Sequence, residues 1–200
     1  MAAPVSIART HVHSLRVASG AEALVARVIA ADGTAGFGFT LNLDAGVARD
    51  MAAWDALARG RNAPLCQLLG GCRRASVPLA RDEAPALKPD WEELRRGMLE
   101  KRWKLLRVNP FAWGSIEQVQ TIGSSAAALD LDIALLAPNS HPWEIAYCAA
   151  LAATLPGDDA RIIVRGDPSA VSVAVPQSPG VGVDWSLEPG FAALRWQGSD

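Results

Sequence analysis

The sequence predicts an α/β protein with a small antiparallel α+β part at its front. Two observations carry this. Two apolar segments flank Asp32-Gly33, a hairpin signal, because glycine accepts positive φ at low steric cost. Beyond residue 71, short apolar runs alternate with segments of helical period, the pattern of parallel strands joined by helices. Half of the 200 residues are hydrophobic and 20% are charged, which fits a globular chain with a real core.

The elements run in order along the chain. Residues 5–16 alternate as a strand, 22–31 form a second, and 34–41 return as a third, giving a three-stranded meander. Val47, Met51, Trp54 and Leu57 recur at helical spacing within 44–59. Strands are then expected at Ala75–Ala80, Trp103–Val108, Leu131–Ala137 and Ala160–Val164. Helices are expected at Asp90–Glu100, Ser115–Leu129 and Pro142–Thr154, with Asp90 as a cap or first-turn acid and Pro142 in a first turn. Helical signal is weak in the tail.

The net charge of −2 gives no reason to expect nucleic acid or an anionic membrane as partner. No apolar run approaches the roughly 20 residues of a membrane span, and no secretory signal is visible after Met1. Cys66, Cys72 and Cys148 are an odd number without C-x-x-C spacing, so reduced thiols and a cytoplasmic setting are expected. His11 and His13 form an H-x-H pair without further ligands at suitable spacing, and a solvent-facing edge strand is expected instead of a zinc site. Gly36-x-Gly38 opens no helix and is not a nucleotide loop. Arg165-Gly166-Asp167 is expected to be a turn, and the charges of 92–102 a solvated helix face.

Three segments carry a resemblance. Ala53-Trp54-Asp55-Ala56-Leu57-Ala58 running into Pro64-Leu65-Cys66-Gln67-Leu68-Leu69-Gly70-Gly71 resembles the "A-x-W-D-L … P-L-Y-x-L-L-G-G" helix and turn of mandelate racemase-like members of the enolase superfamily. Ser140-His141-Pro142-Trp143-Glu144-Ile145 resembles that family's strand-seven histidine segment. Pro176 to Val183 is similar to its "P-x-x-P-G-L-G" return to the capping domain. Only residues 72–139 separate the first two segments, where an intact (β/α)8 barrel needs about 250 residues in all.

The resemblance therefore implies a truncated (β/α) barrel of about four to five strands over 72–167. A reduced antiparallel capping domain is implied over 1–71 and 168–200. Leu79-Ala80-Arg81-Asp82-Glu83 and Leu105-Leu106-Arg107-Val108-Asn109 resemble barrel strands five and six, which makes Glu83 a remnant of the third Mg²⁺ ligand. No segment matches the other two ligands or the K-x-K base, so no cofactor is expected here, although intact relatives use Mg²⁺. His141 matches the strand-seven base. Counting back five positions from Gly114 places Asn109 where the family has the aspartate that orients it, leaving a remnant dyad. An amide can orient a ring nitrogen but cannot stabilise an imidazolium as a carboxylate does. The family's electrophilic acid would fall at Asp158 or Asp159 only with a shifted register.

The function this resemblance implies is that of a shortened mandelate racemase-like protein without metal-dependent proton abstraction, a pseudoenzyme in binding or assembly. The alternative is a residual acid–base enzyme of isomerase, racemase or dehydratase type, acting on a carboxylate through His141. A half-barrel would expose two sheet edges and an apolar face (Val77, Leu79, Leu106, Val108, Ile133, Leu135). A homo-oligomer covering that face is expected, with association to a full-length paralogue as the other arrangement.

Overall fold

A computed structural model describes residues 5–82, 84–157, 159–166, 168 and 170–196. Its first sheet is the expected meander, β1 (Ile7–Arg16), β2 (Glu22–Ala30) and β3 (Ala35–Thr40), in that order and antiparallel throughout. Helix α1 (Ala45–Gly60) comes next, capped by the Asp44 carboxylate, which accepts from the Gly46 N–H. Its alanine-rich face lies directly on β3 and β2. A Cβ at Gly36 would run into the backbone of Ala52 and Ala56, and one at Gly38 into that of Ala48 and Ala52. The G-x-G pair therefore admits a helix at contact distance and no ligand. A short helix α2 (Leu65–Leu68) leads into the second part.

That part alternates as the sequence predicts: β4 (Ser76–Arg81), α3 (Trp91–Leu99), β5 (Leu105–Val108), α4 (Ile116–Ala128), β6 (Asp132–Ala137), α5 (Pro142–Ala152) and β7 (Arg161–Val164). Asp90 caps α3 through the Glu93 N–H, and Ser115 caps α4 through the Gln118 N–H. Strand β8 (Ser172–Ala174), a 3-10 turn (Trp185–Leu187) and α6 (Pro189–Ala192) follow among the described residues. Among the described residues, no helix is long and apolar enough to cross a membrane.

The sheet order is β5-β6-β7-β4-β8, with β4 to β7 mutually parallel and β8 antiparallel to β4. This corrects the strand correspondence. A strand five would lie beside β5, the strand-six equivalent. β4 instead pairs with β7, Leu79 opposite Ile162 and Arg81 opposite Val164. In a closed barrel the first strand meets the last in this way. β4 therefore stands beside β7 in the place that a first strand takes, not beside β5. Strand β8 also joins this second sheet, although the family resemblance places everything after 168 with the capping part.

The sheet is open but curled. In a flat sheet β4 and β5 would stand three strand spacings apart, about 14 Å. Yet Asp82, just past β4, accepts from Arg107 Nε on β5 at 2.6 Å. Leu87 in the β4–α3 loop donates its N–H to the Arg107 carbonyl, so this loop covers the β5 edge while β8 covers the β4 edge. Val77, Leu106, Val108, Ile133 and Leu135 are buried within the chain, and Leu79 is half-buried against the same core. The face expected to lie bare is covered without a second subunit.

One core joins the two sheets. Phe39 of β3 packs on Phe111, Trp143 and Tyr147. Asn42 donates to the Phe111 carbonyl at 2.7 Å, and Asp50 of α1 accepts the Ile116 N–H at the start of α4 at 2.9 Å. Cys66 and Cys72 form a disulfide across the joint between α2 and β4, which corrects the expectation of three reduced thiols, while Cys148 is free and buried. His11 and His13 are half-buried, not solvated, and His13 meets the Trp196 ring edge-on at 4.8 Å.

Candidate functional site

The C-terminal ends of β4, β5, β6 and β7 surround a cavity of about 520 Å³. Ligands in α/β sheets bind at this end, because successive loops diverge there and leave a crevice. Arg81 and Asp82 line it from β4, Asn109 from β5, Leu136 to Pro138 from β6, and Ile163 to Gly166 from β7. The Ser140 hydroxyl accepts the Arg165 N–H at 2.6 Å, which fixes the loop after β6 to the end of β7.

The polar groups at this mouth mostly serve the loops. Asp82 accepts the Ala84 N–H at 2.8 Å through one oxygen and Arg107 through the other. First the Ala84 N–H and then the Arg107 guanidinium hold its carboxyl below the usual range. Asn109 accepts the Phe111 N–H at 3.0 Å, which turns the chain out of β5. Glu83 lies outside the described residues, as do Asp158 and Asp167. Asp159 precedes β7 and so stands at the opposite end of the sheet from the cavity.

His141 is placed elsewhere. It is the N-cap of α5 and only 7% exposed. Nδ1 accepts the Trp143 N–H at 3.2 Å, which leaves the proton on Nε2, and Nε2 donates to Glu188 Oε1 at 2.8 Å. The second Glu188 oxygen accepts the Ala18 N–H at 2.8 Å in the β1–β2 turn. Glu144 completes the capping box, accepting from the His141 and Asn139 N–H groups and the Asn139 amide. Burial pushes the Glu144 carboxyl up against these bonds. Among the described residues no hydrogen bond joins His141 to Asn109. The carboxylate partner is Glu188, in a tail where no motif or periodicity singles it out.

No family model matches the sequence, and none of the curated proteins does. Solved structures do match. One is a mandelate racemase/muconate lactonizing enzyme from Bordetella bronchiseptica RB50, 12% identical, with a TM-score of 0.74 over 95% of this chain and 99% of that one. The chain has the mandelate racemase-like fold. It is similar too to an enolase from Mycobacterium smegmatis complexed with tartrate, 14% identical, TM-score 0.70, covering 97% and 92% of the two chains. A dipeptide epimerase from Methylococcus capsulatus complexed with a magnesium ion is 13% identical, TM-score 0.64, covering 89% and 99%.

In this fold the second sheet of the chain is open and curled. Among the described residues, no group of three His, Cys, Asp or Glu side chains converges as a metal site. Asp82, the described carboxylate at the cavity, has both oxygens committed to an N–H and a guanidinium. The described residues thus offer no uncommitted carboxylate at the cavity for the octahedral oxygen shell of Mg²⁺, while Glu83, the ligand that the resemblance names, lies outside them.

Proposed function

We propose that this chain is a shortened mandelate racemase-like protein that has given up metal-dependent proton abstraction and works in binding and self-assembly. One observation carries the reading. His141, the base that the resemblance points to, has both ring nitrogens bonded within the chain, and Asp82 beside the cavity has both oxygens bonded likewise. An enolate developing at the cavity needs a cation beside it, and the described carboxylate there is already committed to other partners. The cavity itself persists at the sheet end where ligands bind, which supports retained small-molecule binding.

The test is α-proton exchange. Carboxylates bearing an α-proton are incubated with the chain in D₂O, with and without Mg²⁺, and monitored by NMR. No exchange above buffer is expected. Mg²⁺-dependent exchange would overturn the reading.

The buried His141–Glu188 pair favours a second reading, a residual isomerase, racemase or dehydratase acting on a carboxylate. It requires metal-independent turnover that His141→Gln abolishes while the fold survives by circular dichroism.

A further inference from the structure

Helix α3 carries charges that the rest of the chain leaves unused. Its sequence Glu92-Glu93-Leu94-Arg95-Arg96 inverts sign about Leu94. All four charged side chains are exposed, and among the described residues none has an ion-pair partner. Beside them lies an apolar groove of about 430 Å³ between α3 and α4, floored by Met98 and Leu129. Trp91 and Leu99 rim it and stay 39% and 63% exposed. Large apolar side chains at this exposure are few in the described chain, and two of them sit on this one nine-residue helix.

We propose that α3 is a self-docking surface that pairs with α3 of a second copy in antiparallel orientation. The charge order selects this occupant. An isologous contact about a two-fold axis must be complementary to itself. An antiparallel register centred at the axial level of Leu94, whose own side chain is buried on the opposite face, sets Glu92 against Arg96 twice by symmetry, with Glu93 and Arg95 on the two flanks. A parallel register would set like charges together. The axial contact brings each Trp91 and Leu99 towards the groove of the other copy and shields them from water. This deepens the self-assembly part of the proposed function and is independent of what the strand-end cavity binds. It also differs from the half-barrel closure expected from sequence, because the sheet face is already covered. A nine-residue helix is about 13 Å long, so the contact is small and the dimer weak, with dissociation at micromolar concentration or above.

The experiment is sedimentation equilibrium over a wide concentration range, on the full chain and two double variants. R95E/R96E makes the segment wholly acidic, and E92R/E93R makes it wholly basic. Circular dichroism confirms folding of each. The wild type is expected to dimerise, each variant alone to be monomeric, and their equimolar mixture to recover the dimer. Leu99→Glu provides a second disruption on an exposed position. A wild type that stays monomeric throughout would overturn the proposal, as would a dimer that none of these variants weakens. So would binding to a full-length relative through α3 without self-association. None of these substitutions touches a residue lining the strand-end cavity, so α-proton exchange in D₂O should match the wild type in every variant, and loss of assembly is read separately from the chemistry at the cavity.

Discussion

Asp55 shows how a motif residue works. Its side chain is fully buried, and it accepts from the Phe37 N–H at 2.8 Å, Arg59 Nε at 2.6 Å and the Val181 N–H at 2.8 Å. One carboxylate thereby holds β3, α1 and the return segment together. Burial pushes its carboxyl up, and the Arg59 charge and the N–H donors pull against that. The Trp-Asp pair is legible in the sequence as a family signature and Arg59 as its i, i+4 partner, but the Phe37 and Val181 donors lie 18 and 126 positions away and carry no local signal. Asp50 gives a measurable counterpart. Burial raises its carboxyl from the ordinary 3.8 to about 6, with Glu117 adding to the rise and the Ile116 N–H opposing it. A carboxyl raised on folding holds its proton in the native state after the unfolded chain has lost it. Stability conferred by the protonated form is then full at low pH and declines as pH rises from about 4 towards 6. Denaturant midpoints across that window should fall with pH, and Asp50→Asn should flatten the fall in part, since Asp55 and Glu144 shift in the same direction. An unchanged slope in Asp50→Asn would contradict the assignment.

At the scale of elements, the segment after Pro176 behaves as a strap. Trp185 and Phe191 stack at 4.9 Å, and both lie against Phe37 and Trp143. Glu188 fastens this cluster to His141 and to the β1–β2 turn. Glu188→Gln keeps the shape but removes the charge and one acceptor. It should cost about 1–3 kcal/mol and raise amide hydrogen exchange across 184–196, with α4 and β6 little affected. Equal protection across 184–196 in variant and wild type would show that the aromatic stack alone holds the strap. Elements of this size reveal how sequence legibility varies. The long strands and helices fall within two residues of their expected bounds, because period and caps are local properties. β8 has three residues and α6 four, too short for any period. The partner of β4 is hidden for a different reason. Which strand lies beside β4 in a parallel sheet is set by topology, and its own residues do not encode it. The cavity's position is legible from strand direction, whereas the bonding of His141 depends on a tail residue 47 positions away.

For the whole molecule, the joint between the two sheets is stapled as well as packed. The disulfide between Cys66 and Cys72 closes a short loop where the chain leaves the antiparallel sheet for β4. Restricting a loop of that length in the unfolded chain contributes roughly 2 kcal/mol. Reductant should lower the denaturation midpoint accordingly. Thiol titration of the denatured, unreduced chain should find Cys148 alone. Three reactive thiols before reduction would mean the staple does not form. On its other side the core is closed by the β4–α3 loop, which reaches β5 through Asp82 and Leu87.

The bonds from Ala18 to Glu188 and from Asp55 to Val181 span 170 and 126 positions. During synthesis the meander and α1 emerge early, but their closing contacts wait until the strap has left the ribosome. Loop-closure entropy is then met late and all at once, a topology that folds slowly for its size. Until that moment Phe37, Phe39 and the surface that receives the strap stand open to water. The interval between emergence and closure is therefore when the nascent chain most needs a chaperone.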